Sequence, residues 1–340
     1  MGTPTVLGHW DVYELLHRVR SGEEAPLARS ILPGLRAGNV RGVFFAVGGD
    51  SRSHASGSDL PLRGTLTSMD VALGAIEATP EVTVLRTRED VAALPPDRIG
   101  FLLVLEGGRP LEGSVAVLRQ FFRLGVRCLL LTWNGRNELA DGVGEGESAG
   151  GLSTFGREVV REMRRLGMVL DLSHLAPAGF YQAIDVYGGT VVATHSNAKA
   201  LHDHPRNLTD DQIKLVAQTG GVVGVAFMPA FLAAGTPTVA TVVDHIEHMV
   251  GLVGDEHVGI GPDFSYGPVA EEHRRQRKYE GIKVDLAVPY PIPDAASLPL
   301  LEEALRGRGF GETAIANILG ENLLRVLREV LPEGEAVAAA

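Results

Sequence analysis

The chain alternates short runs of valine, leucine and isoleucine with helical patterns over almost all of its 340 residues. This alternation is typical of β/α units, in which helices connect parallel strands. Several of the apolar runs lack polar alternation, as expected of strands that are covered on both faces. Eight strands are predicted, at 5–9, 42–47, 101–106, 127–132, 168–174, 191–195, 222–227 and 258–263. Eight such units favour an α/β fold closed as a (β/α)8 TIM barrel over an open, doubly wound sheet.

The length is ordinary for one barrel with insertions, so residues 1–332 are predicted to form a single domain and 333–340 a disordered tail. Helices are predicted between the strands and after them, at 66–78, 114–124, 153–166, 178–186, 209–218 and 239–253, with two more within 298–331. Two connections, 135–151 and 265–293, are long and rich in glycine or proline. Both follow the carboxyl ends of strands, where barrel enzymes bind substrate, so we interpret them as substrate loops or lids.

Charge and composition narrow the classes of partner. The net charge of −11 disfavours nucleic acid, because phosphate binding needs a concentrated basic surface. No apolar stretch approaches the ~20 residues that a membrane-spanning helix needs, so no membrane partner is expected. Cys128 is the only cysteine and lies in an apolar run, which predicts a buried thiol. Together with an amino terminus that lacks the pattern of a signal peptide, this favours a cytoplasmic location.

Side chains of the types that bind metals fall at the carboxyl ends of five predicted strands. An ionised carboxylate amid valine and leucine is costly to bury unless it is paired or bound to a metal. Any one of these residues alone would be explained as well by a structural role, but six at one end of a barrel predict a metal centre. The six are His9, Asp11, Glu106, His174, His195 and Asp263.

The residue types and their spacing favour zinc. His9 and Asp11 are two residues apart, so a strand turns both side chains toward the barrel axis. Mixed imidazole and carboxylate ligands suit zinc, and two neighbouring cations need a shared anion to offset their repulsion. Glu106 is the candidate for that bridge. Some metal-dependent barrels use a carbamylated lysine instead, but none of the four lysines lies at a predicted strand end.

The other histidines fit this pattern less well. His245 and His248 are three residues apart on a predicted outer helix, away from the strand ends, so a surface or packing role is predicted for them. His202 and His204 lie near the predicted site in sequence, and their role stays open.

With these residues in place, the chain resembles the renal (membrane) dipeptidase family, peptidase family M19, and its bacterial members in particular. The resemblance extends over nearly the whole chain, and its motifs taken together are specific. They are Gly-His-Trp-Asp at 8–11, Leu-Glu-Gly-Gly at 105–108, Gly-Leu-Ser-Thr-Phe-Gly-Arg at 151–157, Leu-Gly-Met-Val-Leu-Asp-Leu-Ser-His at 166–174, Thr-His-Ser-Asn at 194–197, Arg-Asn at 206–207, Gly-Pro-Asp-Phe at 261–264 and the helix that begins at Asn322.

The resemblance implies a dipeptidase that hydrolyses the amide bond of dipeptides, with tolerance of a D-residue at the carboxyl-terminal position. It implies two Zn²⁺ ions, with His9 and Asp11 on one, His174 and His195 on the other, and Glu106 bridging them. Water activated between the ions would attack the amide. Asp263 matches the acidic residue that handles the proton of this water, and Arg206 matches the arginine that receives the substrate's carboxylate.

The chain departs from the family's pattern at several positions. Leu7 stands where the family usually has an aspartate, and Trp10 adds a bulky ring between two expected ligands. Trp133 replaces a histidine that helps to bind the tetrahedral intermediate in the mammalian enzymes, and it could form an aromatic wall instead. After Asp263 and Phe264, Ser265 stands in place of the family's second aspartate, and Tyr266 is added before the glycine at 267.

In addition to Arg206, three residues are predicted to contact the substrate, namely Trp133, Asn207 and Tyr266. Two other functions stay open. One is a related metal-dependent amidohydrolase that acts on a modified or N-acylated amino acid, which Trp10, Trp133 and Ser265 would favour. The other is a catalytically silent binding barrel, against which the complete set of ligands argues. The family resemblance also makes a homodimer a candidate assembly, although nothing in the sequence locates its interface.

Overall fold

The computed structural model describes residues 2–50, 60–264, 281–285 and 287–334. Nine strands form one sheet within these ranges, and every neighbouring pair is parallel. The strands are β1 (Thr5–Asp11), β2 (Val40–Gly49), β3 (Val82–Val84), β4 (Ile99–Glu106), β5 (Val126–Leu130), β6 (Val169–Asp171), β7 (Val192–Ala193), β8 (Val222–Val225) and β9 (Val258–Ile260).

Eight of these strands follow one another in the order β1-β2-β4-β5-β6-β7-β8-β9, while β3 pairs with β4 outside this path. The two ends of the path come close together, since a Cβ atom built on Gly8 of β1 would lie 2.9 Å from the carbonyl oxygen of Ile260 in β9. The sheet is thus a nearly closed (β/α)8 TIM barrel, and the predicted fold class is confirmed.

Helices follow most of the strands and cover the outside of the barrel. In the described ranges they are α1 (Tyr13–Arg20), α2 (Leu32–Ala37), α3 (Pro61–Glu77), α4 (Arg88–Ala92), α5 (Val115–Arg123), α6 (Thr154–Leu166), α7 (Pro177–Tyr187), α8 (Asp210–Gln218), α9 (Pro229–Leu232), α10 (Val239–Val253), α11 (Pro299–Gly307), α12 (Glu312–Ala316) and α13 (Asn322–Val330). The structure contains every helix that the sequence predicts, adds the short α1, α2, α4 and α9, and has three helices in place of the two predicted within 298–331. None of the described helices has the length and hydropathy to cross a membrane.

The two faces of the sheet form separate apolar clusters. The inner cluster fills the barrel with small and medium side chains such as Val104, Cys128 and Val169, and α13 closes it with Leu323 and Val326. The outer cluster joins the strands to the surrounding helices. Cys128 is fully buried, as predicted. Because these two clusters are apolar, the polar side chains of the sheet lie at the carboxyl ends of the strands.

Trp10 lies in the outer cluster. Its ring stacks on Phe45 at 5.2 Å between ring centroids and meets Phe101 edge-on at 6.2 Å. The indole therefore packs between the barrel wall and the helices, on the face of β1 opposite to His9. Its place in the ligand motif reflects this packing.

Several strands end earlier than predicted. The difference is largest for β6 and β7, which correspond to the predicted strands at 168–174 and 191–195. β6 ends at Asp171, three residues before His174, because Ser173 donates its backbone N–H to the Asp171 carboxylate, at 2.9 Å. Thr194 likewise donates its N–H to Asp171, at 3.1 Å, so β7 ends at Ala193. The predicted ligands thus lie just beyond the strands. The predicted tail falls outside the described residues from 335 onward, and the single domain stays a prediction.

Candidate metal and substrate site

Glu106, the last residue of β4, lies at the centre of a buried cluster of histidines. One of its oxygens, Oε1, is 3.2 Å from Nε2 of His174 and 3.6 Å from Nε2 of both His9 and His195. The three imidazoles come from the ends of β1, β6 and β7. A single carboxylate oxygen facing three imidazoles is in a position to be shared between two metal ions.

Asp11 and Asp263 complete the cluster on the side of β1. Oδ1 of Asp11 is 3.6 Å from Nε2 of His9. Two sets of donor atoms each lie within 4.8 Å, one formed by His9, Glu106 and His195 and the other by His9, Asp11 and Asp263. The structure thus brings all six residues of the predicted metal centre to one end of the barrel. His9 belongs to both of these sets.

Hydrogen bonds at Nδ1 fix the orientation of two of the imidazoles. His174 donates from Nδ1 to Oδ1 of Asn134, at 2.8 Å. Nδ1 of His195 lies 2.9 Å from the Thr194 hydroxyl, which itself donates to the buried Asp171 carboxylate and so can only accept from the imidazole. Because both Nδ1 atoms carry the proton, both Nε2 atoms present bare lone pairs to the site.

These two bare Nε2 atoms lie only 2.9 Å apart. Two lone pairs at that distance repel one another unless a cation lies between them. Tetrahedral zinc with Zn–N bonds of about 2.0–2.1 Å holds neighbouring nitrogens roughly 3.3 Å apart. Neither ring nitrogen of His9 has a hydrogen-bond partner among the described residues. The donor set and these unsatisfied nitrogens therefore fit zinc.

Burial and mutual repulsion shift the pKa values of the cluster. Burial raises the pKa of Glu106 well above its usual range, and the nearby Asp11 and Asp263 raise it further. Burial lowers the pKa of His9, but the charges of Glu106, Asp11 and Asp263 outweigh it and bring the pKa to about 10. Burial lowers the pKa values of His174 and His195, which keeps both imidazoles neutral. Without metal, the cluster retains protons that a metal ion would displace.

Two residues of the site have unusual backbone conformations. His174 has φ of 69° and Asp263 has φ of 53°, in the left-handed region that side chains other than glycine rarely adopt. Such conformations cost on the order of 1–3 kcal/mol and persist only where the surroundings hold them. Here they turn both side chains into the cluster directly after β6 and β9.

Arg206 is buried beside the cluster, in the loop after β7. Its Nη2 donates to the carbonyl oxygen of His195 at 3.0 Å, and its guanidinium carbon lies 5.3 Å from the centre of the Phe231 ring. Nε has no hydrogen-bond partner among the described residues. Burial lowers the pKa of Arg206 to about 10, against the opposing charges of Asp263 and Glu106, so the side chain stays cationic at neutral pH. An unsatisfied, buried guanidinium is suited to receive a carboxylate.

Of the three other residues predicted to bind substrate, the structure places one at the wall of the site and one within a supporting loop. The Trp133 ring is buried, 6.2 Å from the ring of His174, and forms a wall of the site. Asn207 donates both amide hydrogens to backbone carbonyls, those of His202 and Phe231, each at 2.8 Å. Its buried Oδ1 accepts no hydrogen bond from the part of the chain that the structure describes, so Asn207 chiefly holds the loop. Tyr266 lies outside the described residues.

Asp50, which directly follows β2, is an organising residue that the sequence analysis missed. Its buried carboxylate accepts hydrogen bonds from the backbone N–H of Arg109 at 2.7 Å and of Trp133 at 3.1 Å, and from the Asn137 amide at 2.8 Å. Burial raises its pKa to about 6 despite these donors. Asp50 thus ties together the loops after β2, β4 and β5 and positions Trp133. Its signal was a carboxylate at the end of an apolar strand, the same signal that identified Glu106.

The remaining histidines act within the loops and helices. The buried His245 accepts from the N–H of Ala198 at Nδ1, and its Nε2 contacts the carbonyl of Leu232, each at 3.1 Å. This is the packing role predicted for it. His204 packs on the Phe231 ring at 4.8 Å and accepts the N–H of Arg206 at 3.2 Å, so it supports the arginine.

Comparisons with known proteins agree on one family. A sequence profile described as membrane dipeptidase (peptidase family M19) matches residues 2–287. An uncharacterized dipeptidase of Schizosaccharomyces pombe is 34% identical over 98% of this chain and 82% of its own length. The dipeptidase verJ of Clonostachys rogersoniana is 31% identical over 89% of this chain and 76% of its own.

A solved structure is similar over the whole barrel. It is a metallo peptidase from Rhodobacter sphaeroides, liganded with a phosphinate mimic of the dipeptide L-Ala-D-Ala. Its TM-score is 0.81 at 25% identity, with 97% of this chain and 100% of that chain covered.

Replacing Thr194 with valine is expected to weaken metal binding without unfolding the chain. The change removes the hydroxyl that orients His195, and loss of such a partner typically costs about 10–100-fold in metal affinity. Competition with a chelator of known zinc affinity measures this effect. Thr67→Val, in α3 and remote from the site, is the matched control. An unchanged zinc affinity of the Thr194→Val protein would contradict the orienting role.

Proposed function

We propose, because this chain belongs to the membrane dipeptidase family and is a metallo-dipeptidase, that it hydrolyses dipeptides with two zinc ions that share Glu106. The observation that carries the zinc centre is the pair of bare Nε2 atoms, on His174 and His195, that face each other at 2.9 Å beside the Glu106 carboxylate. His174 and His195 would hold one ion. His9 and Asp11 would hold the other.

The bound ions would supply activated water near neutral pH and would polarise the scissile carbonyl. The rest of the chemistry falls to side chains of the barrel. Asp263 lies within the set formed with His9 and Asp11, and burial raises its pKa above the ordinary range of an aspartate. A raised pKa suits a group that first accepts a proton on its carboxylate and then gives that proton to the leaving amine.

Arg206 would bind the carboxylate of the substrate and so limit the enzyme to short substrates. The guanidinium is fixed by its bond to the His195 carbonyl, at 3.0 Å, and by contact with Phe231. A cation that is already desolvated and oriented loses little entropy on binding an anion. Trp133, held through its backbone by Asp50 at 3.1 Å, would exclude water on the side of His174.

We also propose that a D-residue is tolerated at the carboxyl-terminal position of the substrate. The support is the Rhodobacter sphaeroides structure, whose ligand mimics L-Ala-D-Ala. The match to dipeptidases favours a dipeptide over the wider alternative of an N-acylated or otherwise modified substrate. The cytoplasmic location and the homodimer stay predictions.

Replacing Asp263 with asparagine is expected to abolish dipeptide turnover, because the amide cannot carry the proton from water to the amine. The wild-type protein should hydrolyse a panel of L-L and L-D dipeptides, and the variant should lose at least about 10²–10⁴-fold in kcat, the usual contribution of a general acid–base. Zinc content, measured on the same preparations, is expected to be retained. Near-normal kcat in a variant that still binds zinc would remove the assigned role.

Replacing Arg206 with methionine is expected to raise KM for Ala-Ala by about 10–100-fold, as loss of a charge-assisted hydrogen bond predicts. The amidated substrate Ala-Ala-NH2 lacks the carboxylate, so its kcat/KM should change much less. The Arg206→Lys variant, which retains the positive charge, is the control for misfolding. Equal losses on both substrates would argue against the carboxylate contact.

A further inference from the structure

A cavity of about 380 Å³ adjoins the metal cluster on the helix side of β1. Residues of α1, α2 and the segment 293–296 enclose it, and Trp10 of β1 lines it. It reaches the cluster at Asp11 and at Phe264, the neighbour of Asp263. Its volume falls within the range of about 300–1,000 Å³ that is usual for small-ligand sites.

The cavity opens three strands away from the substrate's proposed carboxylate site. Arg206 belongs to the loop after β7, whereas the cavity opens beside the end of β1, and β8 and β9 lie between these strands in the barrel. A dipeptide whose carboxylate binds Arg206 and whose amide lies at the cluster would extend its amino-terminal residue toward Asp11. This step rests on the proposed function.

The walls of the cavity combine apolar surface with an acidic edge. Apolar side chains that line it include Trp10, Ile31, Leu35 and Phe264. Their contact suits the stem of a long side chain.

The charges at the edge sum to a negative value. Apart from Asp11, which is assigned to the metal, the lining residues in the described part of the chain include one basic side chain, Arg18, against Glu14 and Asp294. Its guanidinium already binds Glu14 at 2.8 Å and Glu23 at 3.0 Å. Its charge is therefore more than offset, and a cationic group entering the cavity would meet a favourable field.

We propose that this cavity is the pocket for the side chain of the substrate's amino-terminal residue, and that it selects long side chains with a positively charged end. Lysine and arginine combine the apolar stem and the cation that these walls match. A glutamate of similar length would meet the acidic edge and be disfavoured.

The wild-type protein provides the first test. Turnover of Lys-Ala, Gly-Ala and Glu-Ala should fall in that order, with kcat/KM for Lys-Ala above that for Glu-Ala by at least about tenfold. Calorimetric binding of phosphinate mimics of the same three dipeptides should follow the same order. No preference for the lysine substrate and its mimic would overturn the pocket.

Gly34 of α2 allows the cavity to be filled. It lines the cavity, and a Cβ atom built there meets no atom within 4 Å, so a larger side chain fits without a clash at that point. Gly34→Phe is expected to lower kcat/KM for Lys-Ala about tenfold more than for Gly-Ala. Gly74→Phe, at an exposed position of α3 where a Cβ atom also meets nothing within 4 Å, should leave this ratio unchanged.

The outcomes separate the two proposals. A Gly34→Phe protein that turns over Gly-Ala with an unaltered ratio overturns the pocket and leaves the dipeptidase function standing. If the wild-type protein binds zinc but neither hydrolyses a dipeptide nor binds a mimic, the proposed function fails and the pocket fails with it. Gly34→Leu repeats the comparison with a smaller side chain should the phenylalanine protein not fold.

Discussion

The arrangement of the site depends on two imidazole lone pairs that are forced to face each other. His174 and His195 present bare Nε2 atoms at 2.9 Å, with the buried Glu106 carboxylate at 3.2 and 3.6 Å. Burying two facing lone pairs with no cation between them is unfavourable, because they repel each other in a medium of low polarity. A metal centre resolves this conflict.

The rest of the barrel serves to hold these groups in place. The inner apolar cluster and α13 fill the barrel below the site, so polar side chains are left at the carboxyl ends of the strands. Asp171 then acts twice: its carboxylate accepts backbone N–H groups that end β6 and β7, and it orients His195 through the Thr194 hydroxyl. Ending the strands and fixing the imidazole are consequences of one buried carboxylate.

The sequence predicted the barrel and the six clustered residues because strand periodicity and carboxylates in apolar runs are local signals. It did not predict the left-handed conformations of His174 and Asp263, which only their tertiary surroundings hold. A local signal places Asp50 at a strand end, but its partners lie 59 and 87 residues away in sequence, so no local pattern reveals which loops it joins. The packing of Trp10 was not predicted for the same reason, since its contacts with Phe45 and Phe101 arise only when the strands pair.

The most direct test is the zinc stoichiometry of the purified chain together with a crystal structure of the zinc-bound form that uses anomalous scattering at the zinc edge. Two ions per chain are predicted, with Glu106 in contact with both and His174 and His195 on the same ion. A single ion, or two ions of which Glu106 contacts only one, would contradict the shared-carboxylate centre.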